Sequence, residues 1–177
     1  MTIDGYKSSD EKVVIPGKIG EYPVSAISYS AFKKMAKITE VVIEEGVSEI
    51  GVDAFQRCVG LERVALPNSV SYIGWGAFAG CISLTEISLP AGVTEISNCT
   101  FEQCTSLREI KIHDGVTSIG ERAFYCCSAL QNVSIPASVT SIGFVTFAGC
   151  KSLTIHAPAG SYAETYAKEN NIPFVAE

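Results

Sequence analysis

Phenylalanine occurs at positions 32, 55, 78, 101, 124 and 147, each 23 residues after the last. Isoleucine keeps the same step at 27, 50, 73, 96, 119 and 142, and valine at 24, 47, 70, 93, 116 and 139. Leucine at 61, 84, 107, 130 and 153 continues a slot opened by Ile38. Cysteine at 58, 81, 104, 127 and 150 continues one opened by Met35. Independent columns in one phase identify an internal repeat, and repeats of about 20–50 residues fold as stacked arrays. A 23-residue unit cannot bury its own apolar side chains. Stacked copies can, each touching mainly its neighbours.

Within a unit, the segment Leu84–Pro90 (LTEISLP) alternates in polarity. Ile87 and Leu89 point one way, Glu86 and Ser88 the other, which is the period-two pattern of a half-buried strand. Pro67, Pro90 and Pro136 end such segments. Val93, Ile96 and Phe101 form a second inward set. Alanine (31, 54, 77, 123) or threonine (100, 146) precedes most of the phenylalanines, where a small residue lets the backbone turn closely. The expectation is a right-handed solenoid of about six coils, with a parallel ladder rising about 4.8 Å per coil on one face and irregular turns opposite.

Open apolar ends need caps. The first 23 residues read as a degenerate coil. Val14 and Ile15 start a strand, and five extra residues precede Val24, because Ile15 to Ile43 is 28 rather than 23. At the other end Ser161–Glu164 has the form of a helix capping box. Tyr162 and Tyr166 would share a helix face. The helix should end near Asn170–Asn171, with Ile172–Phe174 packing as an extended plug. Residues 1–177 are thus expected to be one domain: a cap over 1–23, repeats over 24–158 and a cap over 159–177.

The unit GVTSIGERAFYCCSALQNVSIPASV, with its order Val, Ile-Gly, Ala-Phe, Cys, Leu, Val, Ile-Pro, resembles the BspA-like leucine-rich-repeat proteins. The likeness runs from about residue 13 to the end and includes VVIPGKIGEYPVSAIS and APAGSYAETYAKENNIPF. It implies a curved solenoid without catalytic machinery. It also implies a lineage of often surface-exposed proteins, some of them adhesins toward host proteins. The chain is shorter than those adhesins and shows no signal, anchor or partner domain, which sets it apart from them.

Composition narrows the partners. Hydrophobic residues make up 47% and charged residues 18%, below the usual charge of about 25%, as suits a compact chain. The net charge is −6 and the only basic cluster is Lys33, Lys34 and Lys37, so nucleic acid, which selects basic faces, is not the expected partner. No apolar run approaches the roughly 20 residues of a membrane span. The opening MTIDGYKSSDEK lacks the apolar middle of a secretory signal. By itself that points to the cytoplasm, although a processed chain would lack a signal too.

Candidate chemistry is sparse. Cys58, Cys81, Cys104, Cys127 and Cys150 would form a ladder whose spacing of about 4.8 Å suits disulfides, with Cβ atoms about 3.5–4.5 Å apart, poorly. They read as buried, reduced packing residues. Cys99 and Cys126 stand in other slots, and their pairing is open. No Cys-x-x-Cys or His-x-x-x-His spacing suggests zinc. His113 and His156 have no ligand or nucleophile partner in sequence. No serine sits in a Gly-x-Ser-x-Gly elbow, and the glycines follow the repeat phase rather than a phosphate loop. No cofactor and no enzymatic activity are expected. Asn98-Cys-Thr100 and Asn132-Val-Ser134 are glycosylation triplets that matter only in a secretory pathway.

Two surfaces could bind. The outward strand columns read Glu40, Arg63, Glu86, Glu109, Asn132 and Val42, Ala65, Ser88, Lys111, Ser134. They are mixed and lack aromatic anchors. Glu40, Arg63, Glu86, Glu109 and Lys111 are the candidate contacts there, beside the plainer reading of a solvated sheet face. The slot two residues after the repeated isoleucine reads Tyr29, Val52, Trp75, Asn98, Glu121, Phe144. Facing solvent, Tyr29, Val52 and Trp75 would make an apolar contact strip; partly covered, they would only shield neighbouring backbone. The expected function is a non-enzymatic module for an unidentified protein ligand. The resemblance places it at a cell surface or secreted, in adhesion. The alternative is an intracellular interaction scaffold, whose compartment would keep the thiols reduced. The sequence leaves oligomeric state open.

Overall fold

The computed structural model describes residues 1–7 and 10–177. The chain opens with β1 (Thr2–Ile3) and β2 (Lys12–Ile15). A hairpin of β3 (Lys18–Ile19) and β4 (Tyr22–Pro23) follows, then β5 (Ala26–Ile27) and β6 (Glu40–Ile43). The regular coils carry β7 (Glu49–Ile50), β8 (Arg63–Ala65), β9 (Tyr72–Ile73), β10 (Glu95–Ile96) and β11 (Glu109–Lys111). They continue through β12 (Ser118–Ile119), β13 (Asn132–Ser134), β14 (Ser141–Ile142) and β15 (Thr154–Ala157). Helix α1 (Tyr162–Glu169) and β16 (Phe174–Ala176) end the chain.

The first face stacks β2-β6-β8 and β11-β13-β15-β16 in parallel, with residues 86–89 between them. Three strands, that segment and four strands make eight rungs, so the solenoid has about eight turns rather than six. The added turns, β2 and β16, come from the segments read as caps. The five-residue insertion is absorbed by the β3–β4 hairpin, turned at Gly20 with φ of 60°. The reading of the stretch ahead of Lys12 as a coil includes Ser8 and Ser9, which lie outside the described residues.

Two expectations need correction. The opposite face is not only irregular turn: two-residue strands stack there as β1-β5-β7-β9 and β10-β12-β14. The main chain can pair there because glycine follows most of the repeated isoleucines. A Cβ on Gly74 would lie 2.6 Å from the Val52 nitrogen, and on Gly143 2.4 Å from that of Glu121. The second correction concerns Leu84–Pro90, taken above as the model strand. It is the one unit that forms none, holding its neighbour only through the Arg63–Glu86 bridge. Its inward pattern is nevertheless as expected, with Leu84 and Ile87 buried. On the next rung Glu109 would stand beside Glu86 as a like charge, which disfavours pairing there.

A third set of main-chain hydrogen bonds runs along the turns, as in Ser30 N to Val52 O (3.0 Å), Phe55 N to Ala77 O (2.8 Å) and Gln103 N to Tyr125 O (2.8 Å). These turns use two left-handed residues per coil, such as Asp53 and Arg57, or Arg122 and Cys126. Inside, the phenylalanines stack with ring centroids 5.0–5.8 Å apart. Tyr6 covers one end of the stack at 5.6 Å, and Tyr166 meets Phe147 edge-on at 6.1 Å. Of the two tyrosines one turn apart on α1, Tyr166 is buried against the last coil and Tyr162 is exposed. Ser161 caps α1 by accepting from Glu164 N, and the Glu164 carboxylate accepts from Gly160 N, one residue ahead of the cap, and from Lys168.

Replacing Phe101, fully buried in mid-stack, by alanine should cost about 3–5 kcal/mol of unfolding free energy by denaturant titration. Glu109→Ala should change it by no more than about 0.5 kcal/mol; equal losses would mean that the repeat phase is misplaced. Val145 adopts φ of 49°, a backbone region that costs an L-residue about 1–2 kcal/mol. Val145→Gly should therefore raise stability by about 0.5–1 kcal/mol in the same titration, after the entropy of glycine is subtracted.

Candidate functional site

The turn hydrogen bonds fix where the aromatic slot points. Ser30 N donates to Val52 O and Asp53 N to Trp75 O (2.8 Å), so Tyr29, Val52 and Trp75 lie on successive rungs. The flanking left-handed residues turn the chain so that the slot stands outside the coil. Tyr29 is 68% exposed and Trp75 57%, while Val52 between them is half-buried. Asn98, next in the column, is half-buried and accepts from Glu121 N at 2.9 Å. Phe144, further along, is 77% exposed.

Three further exposed side chains, Tyr72, Ile19 and Tyr22, are not singled out by the sequence. Tyr72 sits on β9, three residues before Trp75, and is exposed. Ile19 and Tyr22 are exposed on the β3–β4 hairpin. Tyr72 alternates with buried Ile73, so period-two reading of the second inward set would have found it. The hairpin could be read only as an insertion of unknown shape.

On the strand face the register brings Lys12, Glu40, Arg63 and Glu86 together, and separately Glu109 with Asn132 and Thr154. Lys12 and Arg63 flank the Glu40 carboxylate at 3.1 and 3.6 Å. The hydrogen bond and charge of Lys12 hold that carboxyl below its ordinary value. Glu86 and Glu109 are exposed beside a shallow groove of about 470 Å³ that also meets Ser88, Lys111 and His113. His113 is engaged on both ring nitrogens: Nε2 lies 3.0 Å from Pro90 O, and Gly115 N donates to Nδ1 at 3.0 Å. His156 lies 3.1 Å from Asn132 Oδ1 and 3.3 Å from Glu177. Among the described residues no group of His, Cys, Asp and Glu could hold a metal ion, and no helix is long and apolar enough to cross a membrane.

The model of the BspA-type leucine-rich repeat region matches six copies over residues 25–154. The chain belongs to the BspA-type leucine-rich repeat family. Among solved structures, this BspA-type chain is similar to a leucine-rich repeat protein of T. pallidum, at 26% identity and a TM-score of 0.81, over 99% of this chain and 91% of that one. It is 34% identical to a leucine-rich cell surface protein of Faecalibacterium prausnitzii, with a TM-score of 0.68, over 88% of this chain and half of that one. The pneumococcal vaccine antigen PcpA shares the fold at 15% identity and a TM-score of 0.61, with 99% of this chain lying on 44% of that one. No curated protein matches the chain. A BspA-type repeat is the fold of a protein-interaction module.

The cysteine column of the BspA-type repeat lies inside. Cys58, Cys81, Cys104 and Cys127 are fully buried and Cys150 partly so. Each Sγ donates to a phenylalanine carbonyl of the preceding coil at 3.0–3.3 Å. All seven cysteines are free thiols, with Cys99 and Cys126 half-exposed at the turns. Burial pushes the Cys58 thiol from 9.0 up to about 11 and Cys150 to about 12, and holds Cys81 and Cys104 well above the ordinary value.

Ellman titration of the native chain should therefore leave four of the seven thiols unreacted until denaturant is added. A thiol whose folded pKa is raised stabilises the fold below its unfolded pKa and loses that contribution as pH rises toward the folded one. The melting temperature should hold up to about pH 8, then fall between 9.0 and about 11–12. In a Cys81→Ala/Cys104→Ala chain the alkaline fall should be shallower; an unchanged slope would assign it to other groups.

Proposed function

We propose that this chain is a non-enzymatic protein-binding module that acts in adhesion, displayed at a cell surface or released from it. The observation that carries the reading is the strip of Tyr29, Val52 and Trp75. It places two largely exposed aromatics on a scaffold whose turns are locked by hydrogen bonds on every rung. Large exposed apolar patches mark contact surfaces, and aromatics held rigid lose little entropy on binding. Tyr72 extends the strip on the same coil. The strand face, with Glu86, Glu109 and Lys111 around its groove, is the secondary contact surface. The Glu40 carboxylate is engaged with both Lys12 and Arg63, which leaves Glu40 and Arg63 less charge to offer. The repeats over 24–158 form the binding body, and the segments 1–23 and 159–177 cap it. The likeness to a cell surface protein at 34% identity supports the location.

A second reading, an intracellular scaffold, is favoured by one observation, the seven free thiols, which a reducing compartment keeps in that state. Protease shaving of intact cells separates the two. Loss of the full-length chain supports surface display, and survival until lysis supports the scaffold. The strip is tested on immobilised host matrix proteins in the first case and by pull-down from cytosol in the second. Trp75→Ala should leave the denaturation midpoint within error and lower affinity at least about tenfold, the scale of a truncated hot spot. Trp75→Ala that unfolds the chain, or binds as wild type, removes the strip from the interface.

A further inference from the structure

The solenoid is not equally tight along its length. Residues 70–92 and 93–115 are adjacent coils, and both strand ladders break between them. On one face β9 and β10 do not pair, so the ladder divides into β1-β5-β7-β9 and β10-β12-β14. On the other face residues 86–89 do not pair with β11, and the groove opens there. Inside, Phe78 and Phe101 are 5.8 Å apart, the widest step of the phenylalanine stack. The Cys104 Sγ to Phe78 O contact, at 3.3 Å, is the longest of the cysteine column. Arg108 N to Thr85 O, at 3.4 Å, compares with 2.9 Å for the same bond one coil later.

The cause is readable in one column. After the repeated isoleucine stand Ser28, Gly51, Gly74, Ser97, Gly120 and Gly143. Each of these glycines donates its N–H to the isoleucine carbonyl of the preceding coil at 2.7–2.8 Å, and a Cβ on any of them would come within 2.4–2.7 Å of that coil's backbone. Ser97 carries such a Cβ and is buried. Its hydroxyl, rather than its N–H, donates to Ile73 O at 2.7 Å. The side chain thus sits where a main-chain bond would otherwise close the coils. Ser28 carries a Cβ in the same slot and still donates its N–H to Ile3 O at 2.8 Å, over Asp4 and Gly5, which form no strand.

The turn side of the same junction stays closed. Gly76 N to Asn98 O, Phe78 N to Thr100 O and Gly80 N to Glu102 O measure 3.0, 3.0 and 2.7 Å. His113 reaches back across the seam to Pro90 O. A junction bonded along one side and unpaired along two faces is a hinge. We propose that the solenoid consists of two rigid blocks that flex about the turn at 76–80 and 98–102, with the Cβ of Ser97 as the wedge that keeps the seam open. Flexing changes the pitch of the strand face at its groove. It also moves the strip ending at Trp75, in the first block, relative to Phe144 in the second. Proteins open locally where main-chain bonds are few, and amide hydrogen exchange measures that opening.

Native-state hydrogen exchange on the full chain tests the hinge. Amides of Thr94–Ile96 and Glu109–Lys111 should exchange at least about tenfold faster than their counterparts at Thr117–Ile119 and Asn132–Ser134. Ser97→Gly should abolish most of that difference while leaving exchange at 117–119 little changed. Ser97→Ala keeps the Cβ and should leave the seam as fast as in the wild type. Uniform protection across all junctions overturns the proposal. So does slowing of every coil alike by Ser97→Gly, which would make Ser97 only a general destabiliser. Closure by Ser97→Ala would assign the seam to the hydroxyl and overturn the wedge.

Discussion

Neighbouring coils must approach to main-chain hydrogen-bonding distance, and they must do so on three sides at once. Two strand ladders and one turn ladder share a single rise per coil, so any side chain directed between coils is excluded wherever the backbones meet. That is why glycine stands after isoleucine in the close-packed units, and why one serine in that slot is felt on both strand faces and in the core. The phenylalanine rings lie nearly parallel, within 16° of one another. The backbone rise imposes that geometry, and the rings fit it because offset stacking is favourable at these separations.

A stack bound by its neighbours has two exposed ends, and the chain closes them with aromatic side chains. Tyr6 lies over Phe32, and Tyr166 of α1 turns its edge to Phe147. The helix is held over the last coil by a serine cap and by buried Ala163, Tyr166 and Ala167. β16 then adds one more parallel rung to β15. A helix and a strand at the end of an array remove apolar surface that repeats alone would leave open.

The inside of the repeat is nearly invariant from coil to coil, so what distinguishes this protein lies in its outward columns and at its irregular junction. The aromatic slot is free to vary because a ladder of main-chain hydrogen bonds holds the turn, to which Asn98 of the slot adds a side-chain acceptor. The strand face alternates in charge from Lys12 to Glu86 and then repeats a carboxylate at Glu109, at the junction where pairing is lost. Like charges on adjacent rungs are unfavourable, so charge and sterics act in the same direction there.

The 23-residue phase by itself determined the class of fold, the buried columns and the cysteine ladder's place inside, because a stacked array repeats its contacts at the repeat interval; that Tyr29 and Trp75 stand exposed was decided by the turns of the tertiary structure. It also marked the helix cap at Ser161 and the insertion before Val24. What it could not determine is anything that depends on how two coils meet. The second strand ladder is two residues long in each unit, too short for a periodic signal. The shape of the hairpin that exposes Tyr22 follows from pairing within an insertion. Leu84–Pro90 has the clearest strand pattern in the chain and forms no strand, because its partner is held away by a residue outside the segment. Pattern reports which side chains face inward; only the tertiary structure decides whether the neighbouring backbone comes close enough to bond.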